Sequence, residues 1–234
     1  MNVTKAGGSH WLRMLREAAA VLAAILVAFG LDAWWEGRGE REGAVAALEA
    51  VRAETEINLV ELDRIVTTNR AVSEAVSRFL VTEVSELREL EEEQLPQYST
   101  SGYEGFQPET GALTWLLASG LLRSVKDQGL RFTLAGLPQA WDEVNEDRDV
   151  STSLQVAAFQ ARVRALGGEE MERRRRREVP GGLRSALVAL KGSDPYVDAA
   201  ASASFLIRIY VAELEALQGT LRTLLVAIDE ELER

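Results

Sequence analysis

Apolar positions recur with a helical period along most of this chain, and one stretch breaks the pattern by being apolar all round. From Ala18 to Leu31 the sequence AAAVLAAILVAFGL carries 14 residues without a charge. At ~1.5 Å per residue such a run reaches roughly 21 Å, less than the about 30 Å of a bilayer's hydrocarbon core. Its flanks supply the missing length. Trp35 lies 24 positions beyond Trp11, so Trp11 on one side and Trp34 with Trp35 on the other suit two interfacial aromatic belts. Arg13 and Arg16 can lay their stems along the helix and keep their charges at the headgroups. The pattern predicts a tail over 1–11 and a transmembrane helix over 12–36. A cleaved signal peptide fits less well, because bulky and acidic residues follow the apolar core where small ones belong. A soluble amphipathic helix is the third alternative. Ala20, Ala24 and Ala28 recur at every fourth position and lead onto Asp32, a small-residue stripe of the kind on which helices associate inside lipid.

The remainder, 37–234, reads as a soluble helical domain. Val45, Leu48, Leu59, Leu62, Val66, Val76, Leu80, Leu87 and Leu90 fall at three- and four-residue steps or their multiples, with no proline before Pro96. They predict one long helix over 40–93, roughly 80 Å of it if straight. Arg52, Thr55, Asn69 and Ser73 interrupt its apolar seam, which favours a place in an antiparallel bundle over a self-associating coil and allows a bend near Thr67 to Asn69. Pro96, Gly102, Gly105 and Pro108 make 94–110 a loop, and its aromatics Tyr98, Tyr103 and Phe106 either pin it to the bundle or offer a contact surface. Middle helices are expected over 111–190. The first pauses at Ser119 and Gly120, the next is capped by Asp127 and kinks or restarts at Gly136 and Pro138, and another ends at Gly167 and Gly168. Asp194-Pro195 starts a C-terminal helix over 195–233, whose Leu206, Tyr210, Leu214, Leu217, Leu221, Leu224, Ile228 and Leu232 form the best amphipathic face after the stem. The expected fold is all-α: one N-terminal transmembrane helix followed by an elongated antiparallel helical bundle.

Charge and chemistry narrow the function. A net charge of −11 argues against nucleic acid as a partner, since phosphate binding needs a basic face. There is no cysteine and the one histidine, His10, lies in the tail; disulfides, thiolate metal sites and a Ser-His-Asp triad in the domain are thereby excluded. Asp142, Glu143, Glu146, Asp147 and Asp149 form an acidic patch, but no glycine-punctuated Asp-x-Asp loop accompanies it. No cofactor is implied. Arg173, Arg174, Arg175, Arg176 and Arg177 run consecutively between glutamates, either as a solvated stretch or as a contact for anionic headgroups or an acidic partner. Lys5, Arg13 and Arg16 against Arg38 and Arg41 give a slim bias toward a cytoplasmic N-terminus and an extracytoplasmic domain.

Two islands resemble a family of uncharacterised bacterial single-span membrane proteins, a domain of unknown function. One is Ala28, Leu31, Asp32, Trp34, Glu36 and Arg38, similar to the family's Ala-x-x-Leu-Asp-x-Trp-x-Glu-x-Arg sequence at the end of its span. The other is Ser119, Gly120, Leu121, Val125, Lys126, Asp127, Leu130 and Arg131. Ala33, Trp35 and Gly37 depart from the family's more polar residues. The resemblance implies an anchored helical domain in a bacterial inner membrane and carries over no catalytic residue.

These observations lead to a non-enzymatic, membrane-anchored helical scaffold or accessory subunit, whose partners are the lipid bilayer and other membrane-protein subunits or further copies of itself. The rival is an extracytoplasmic sensing domain that binds a small ligand between its helices. With 17 residues before the apolar run, such a sensor would need a partner to carry its output. An enzyme ranks third, because only carboxylates, hydroxyls, Lys126 and Lys191 remain for chemistry.

Overall fold

The computed structural model describes residues 8–98, 103–167 and 182–234; within its first helix the side chains of 8–21, 23, 24, 32, 33, 36 and 37 lie outside the description. All regular structure among the described residues is helical. The elements are α1 (Gly8–Val81), α2 (Val84–Glu89), a 3-10 turn (Glu92–Tyr98), α3 (Gly111–Ser119), a second 3-10 turn (Leu121–Ser124), α4 (Gln128–Leu166), α5 (Gly182–Lys191) and α6 (Asp194–Leu232).

The expected stem and the expected first helix of the domain are one element, 74 residues long and about 110 Å by its rise per residue. Its bundle face begins at Ala44, the first buried residue among the described side chains of α1, and continues through Leu48, Leu62, Val66 and Val76. Where the seam pattern ran on to 93, α1 stops at Val81, and one hydroxyl and two ammonium contacts gather at the break. Thr82 Oγ1 donates to Arg78 O at 2.8 Å. Lys191 Nζ, from the end of α5, donates to Phe79 O at 3.1 Å and Leu80 O at 2.6 Å. The Phe79 and Leu80 carbonyls, which a continuing helix would have used, are thus satisfied from outside, and Glu83 turns extended before α2.

α6 lies at the centre, packed along α1 on one side and α4 on the other. Both pairings are antiparallel. Along α1, Arg52 bonds Asp229 at 2.6 Å and Arg70 pairs with Glu215; along α4, Asp127 meets Arg234 at 3.2 Å while Val144 shares a cleft with Leu217. Of the apolar series predicted for α6, Tyr210, Leu214, Leu217, Leu221, Leu224 and Ile228 are buried, while Leu206 and Leu232 are half-buried and Ile207 takes the buried place beside Leu206. α6 starts at Asp194 with Ser193 as the preceding residue, and neither end-of-loop hydroxyl nor carboxylate of Ser193 or Asp194 makes the cap; Pro195 in the first turn fixes the start. Asp127 does cap α4, accepting from Leu130 N–H at 2.8 Å. α4 runs through Gly136 and Pro138 without restarting. A mid-helix proline costs ~3 kcal/mol, and Leu134, Leu137, Trp141 and Val144, buried on both sides of it, outweigh that. Gly120, at φ 75°, ends α3 in the left-handed region, and Gly167, at φ 78°, ends α4.

Among the described residues no helix is long and apolar enough to cross a membrane.

Candidate functional site

The N-terminal part of α1 has no protein partner among the described residues. Leu22, Ile25, Leu26, Val27, Phe29, Leu31, Trp34 and Trp35 are between 46% and 68% exposed. At 100° per residue these positions point in every direction, so no single apolar stripe exists for another element of the bundle to cover. The bundle starts only at Glu40, which pairs with Arg123, and Gly43, beside Leu121. Trp34 and Trp35 contact edge to face at 5.2 Å, with the Arg38 guanidinium 5.9 Å from the Trp34 ring and hydrogen-bonded to Glu42 at 2.9 Å. A ring pair and a cation therefore sit together where the apolar segment ends. Ala28 is exposed; the side chains of Trp11, Arg13, Arg16, Ala20, Ala24 and Asp32 lie outside the described residues, as do Arg173, Arg174, Arg175, Arg176 and Arg177.

The segment 103–110 is extended and lies against α1 in the opposite direction. Asn69 donates from Nδ2 to Glu104 O at 2.8 Å and accepts from Glu104 N–H at 2.9 Å. Asn58 does the same for Glu109, at 2.8 Å in both bonds. Eleven residues of helix and five of extended chain each cover roughly 16 Å, so the two amides match the loop's own backbone spacing. One end of the loop enters α3 under the Glu54 carboxylate, which accepts from Ala112 N–H at 2.6 Å and Leu113 N–H at 3.2 Å. At the middle, Phe106 N–H donates to Tyr210 Oη at 2.8 Å, and burial pushes the Tyr210 phenol up to about 12. Tyr98 and Phe106 are buried and Tyr103 is half-buried against Tyr210. Of the two uses for these aromatics, the structure takes the first: they pin the loop, and Tyr98 and Phe106 offer a partner no surface.

Of Lys126 and Lys191, the two lysines that remained for chemistry, Lys191 is taken up by the end of α1 and Lys126 is exposed. Lys191 closes α1; Lys126 reaches Arg234 O at 3.5 Å, while the buried Glu231 carboxylate accepts from the backbone N–H groups of Lys126 and Asp127. The acidic patch on α4 is partly drawn inward. Glu213 of α6 faces Asp147, with Glu143 alongside, at a cleft of about 250 Å³. Burial, then the hydrogen bond and charge of Asp147, push Glu213 up to about 7. Among the described residues no group of three or more His, Asp or Glu side chains is arranged to hold a metal ion.

A second cleft, about 350 Å³, opens between the 107–114 segment and α4. Trp141, Asn145 and Arg148, at helical steps of four and three, line it from α4, with Asp142 at the edge. Trp141 Nε1 and Asn145 Oδ1 are buried atoms with no hydrogen-bond partner. An unmade bond of this kind costs about 1–3 kcal/mol. Arg148 lies over Gly105, where a Cβ would come within 2.8 Å of its Cδ; its guanidinium bonds Asp149 at 3.0 Å and reaches Phe106 O at 3.5 Å.

Asn58, Glu54, Lys191, Glu213 and the Trp141–Asn145 pair were not legible as functional positions. One cue existed for the clamps: Asn69 interrupts the apolar seam, and Asn58 stands three turns before it on the same face. Comparison with protein-family models, with curated proteins and with solved structures returns no match to the chain.

Proposed function

We propose that the protein is a non-enzymatic helical scaffold or accessory subunit, anchored in a bacterial inner membrane by the first half of α1. The carrying observation is that the described apolar side chains between Leu22 and Trp35 are exposed on every side of a helix that continues into the bundle without a break. Water would leave each of those side chains exposed at a cost of about 25 cal/mol per Å² of apolar surface, and lipid removes that cost on every side at once. Because the uncharged run alone reaches only roughly 21 Å, the span includes its flanks, with Trp34, Trp35 and Arg38 at one headgroup layer and Trp11, Arg13 and Arg16 at the other. Ala20, Ala24, Ala28 and Asp32 would face a second membrane helix, from another subunit or another copy. The Lys and Arg bias puts the tail in the cytoplasm and the bundle outside it. The rigid coupling suits docking: a helix that is both anchor and bundle wall holds the domain at a fixed angle to its partners.

Expression followed by alkaline carbonate washing and flotation tests the anchor, and blue-native electrophoresis after mild detergent extraction tests the association. The intact chain is expected in the membrane pellet and in a species larger than one copy. Release of uncleaved chain into the wash would overturn the anchor; a strictly monomeric, partnerless species would overturn the scaffold.

A further inference from the structure

The cleft between α4 and α6 is the acidic end of a longer groove. Glu143 lines it from α4, and Glu213, Ala216 and Thr220 line it from α6. Asp147, Val150 and Leu154 follow Glu143 at steps of four, three and four, so they continue the same face of α4. On α6, Ile209 lies one turn before Glu213, and Phe205 one turn before that. The antiparallel register that joins Asp127 to Arg234 and Val144 to Leu217 sets Val150 level with the turn of Ile209 and Tyr210. This second half of the groove is apolar and open. Val150 is 52%, Phe205 56% and Ile209 38% exposed, while Leu154 and Leu206 are half-buried. From Thr220 to Phe205 the two halves together run roughly 22 Å along α6, the length of about four helical turns.

Charge selects what fills it. Among the described residues no Lys or Arg lines the cleft, and the charged groups that act on Glu213 are Asp147 and Glu143, both of its own sign. Neighbouring cations point elsewhere: Arg148 is bonded to Asp149 and reaches Phe106 O, and Arg208 stands about 140° round α6 from Glu213. A second copy presenting the same face would bring these carboxylates no cation, and an anionic lipid surface would repel them. We propose that the groove between α4 and α6 docks a basic amphipathic helix of a partner subunit, its apolar residues on Val150, Ile209 and Phe205 and a Lys or Arg one to two turns away on Glu143, Asp147 and Glu213. Two antiparallel helices leave the kind of furrow that a third helix fills with an apolar face, and Phe205 supplies an aromatic anchor for it. The assignment rests on the scaffold reading and names the kind of subunit it docks.

Photo-crosslinking of the full chain in its own host cells tests this, with p-benzoyl-phenylalanine placed in separate chains at Phe205, Val150, Val60 and Ala28. Phe205 and Val150 are expected to give an adduct with the same protein. Mass spectrometry of that adduct is expected to find a helical segment with Lys or Arg within two turns of its apolar residues. Val60, 74% exposed on α1, is expected not to give it. Glu213→Gln combined with Asp147→Asn keeps the shape, removes the charge, and is expected to lower the adduct yield about tenfold. If the double variant does not fold, Glu213→Gln alone serves, with a smaller loss of yield. No adduct at Phe205 and Val150, an adduct with lipid, with a second copy or with a segment lacking basic residues, equal yield from Val60, or undiminished yield in the folded charge variant would overturn the proposal. An adduct at Ala28 with none at Phe205 and Val150 removes the groove and leaves the scaffold standing; absence of adducts at every position removes both.

Discussion

Lys191 Nζ stands 2.6 Å from the carbonyl oxygen of Leu80 and 5.5 Å from the Phe79 ring centre, so that one ammonium at the end of α5 closes a helix of 74 residues. A cation at a helix C-terminus meets both the unpaired carbonyls and the negative end of the helix dipole. Lys191→Met keeps the stem packed on Phe79 and removes the donor. It is expected to cost about 2 kcal/mol of unfolding free energy, read by denaturant titration. Faster hydrogen exchange should be confined to the α1–α2 junction around Thr82.

The two asparagine clamps predict a graded loss. Asn69→Ala leaves Glu104 N–H and C=O without partners, and Asn58→Ala does the same at Glu109. Each is expected to destabilise by about 2 kcal/mol and to open 103–110 to proteolysis. Because both hold one short segment, the double variant should lose less than the sum of the singles. Equal proteolysis in the unaltered chain and in the variants would remove the clamp argument.

What the sequence conveyed, and what it withheld, divides along the same lines. The buried faces of α1 and α6 were legible because burial repeats every three or four residues and leaves a periodic trace. Asp127, Gly120 and Gly167 were legible because caps and left-handed turns demand particular residue types. Lys191 and Leu80 are 111 positions apart, and no local pattern links a lysine to a carbonyl that distant. The same holds for Tyr210 with Phe106 and for Glu54 with the start of α3. Pro138 was legible only in part: of the kink or restart that a local rule allowed, the restart does not occur, and four buried side chains around it carry the helix through. The cleft beside Trp141 and Asn145 has no trace at all, since the 107–114 segment and α4 line it together from distant parts of the sequence.

Glu213 predicts how stability varies with pH. Its carboxyl titrates at about 7 in the folded chain against an ordinary 4.5. With the folded value raised, the unfolded chain releases its proton first as pH rises, so stability falls between those two values and the loss is complete above the higher one. Glu213→Gln carries no such proton. After allowance for solvent screening it is expected to gain on the order of 1 kcal/mol at pH 8 relative to the unaltered chain, and close to nothing at pH 4. Melting curves of the two proteins across that range should converge at the acid end; parallel curves would show that the Glu213 carboxyl does not carry the pH dependence.

The exposed part of α1 separates anchoring from folding in one experiment. Leu26 and Phe29, 64% and 68% exposed, contact no part of the bundle. Replacing both by lysine therefore leaves the packing of Ala44 to Val76 against α6 intact. Within a bilayer the same change is severe, because a lysine near the centre of a span costs about 2.5–3.5 kcal/mol each on insertion scales. The pair is expected to shift the chain from the floated fraction to the soluble one, with the bundle's melting midpoint unchanged within about 1 °C. A matched pair of changes at Leu48 and Leu62, both buried, is expected to do the reverse: about 2–5 kcal/mol lost per Leu→Ala substitution, with membrane association retained. If instead the lysine pair lowers the melting midpoint as much as the core pair does, the segment packs against protein and not against lipid.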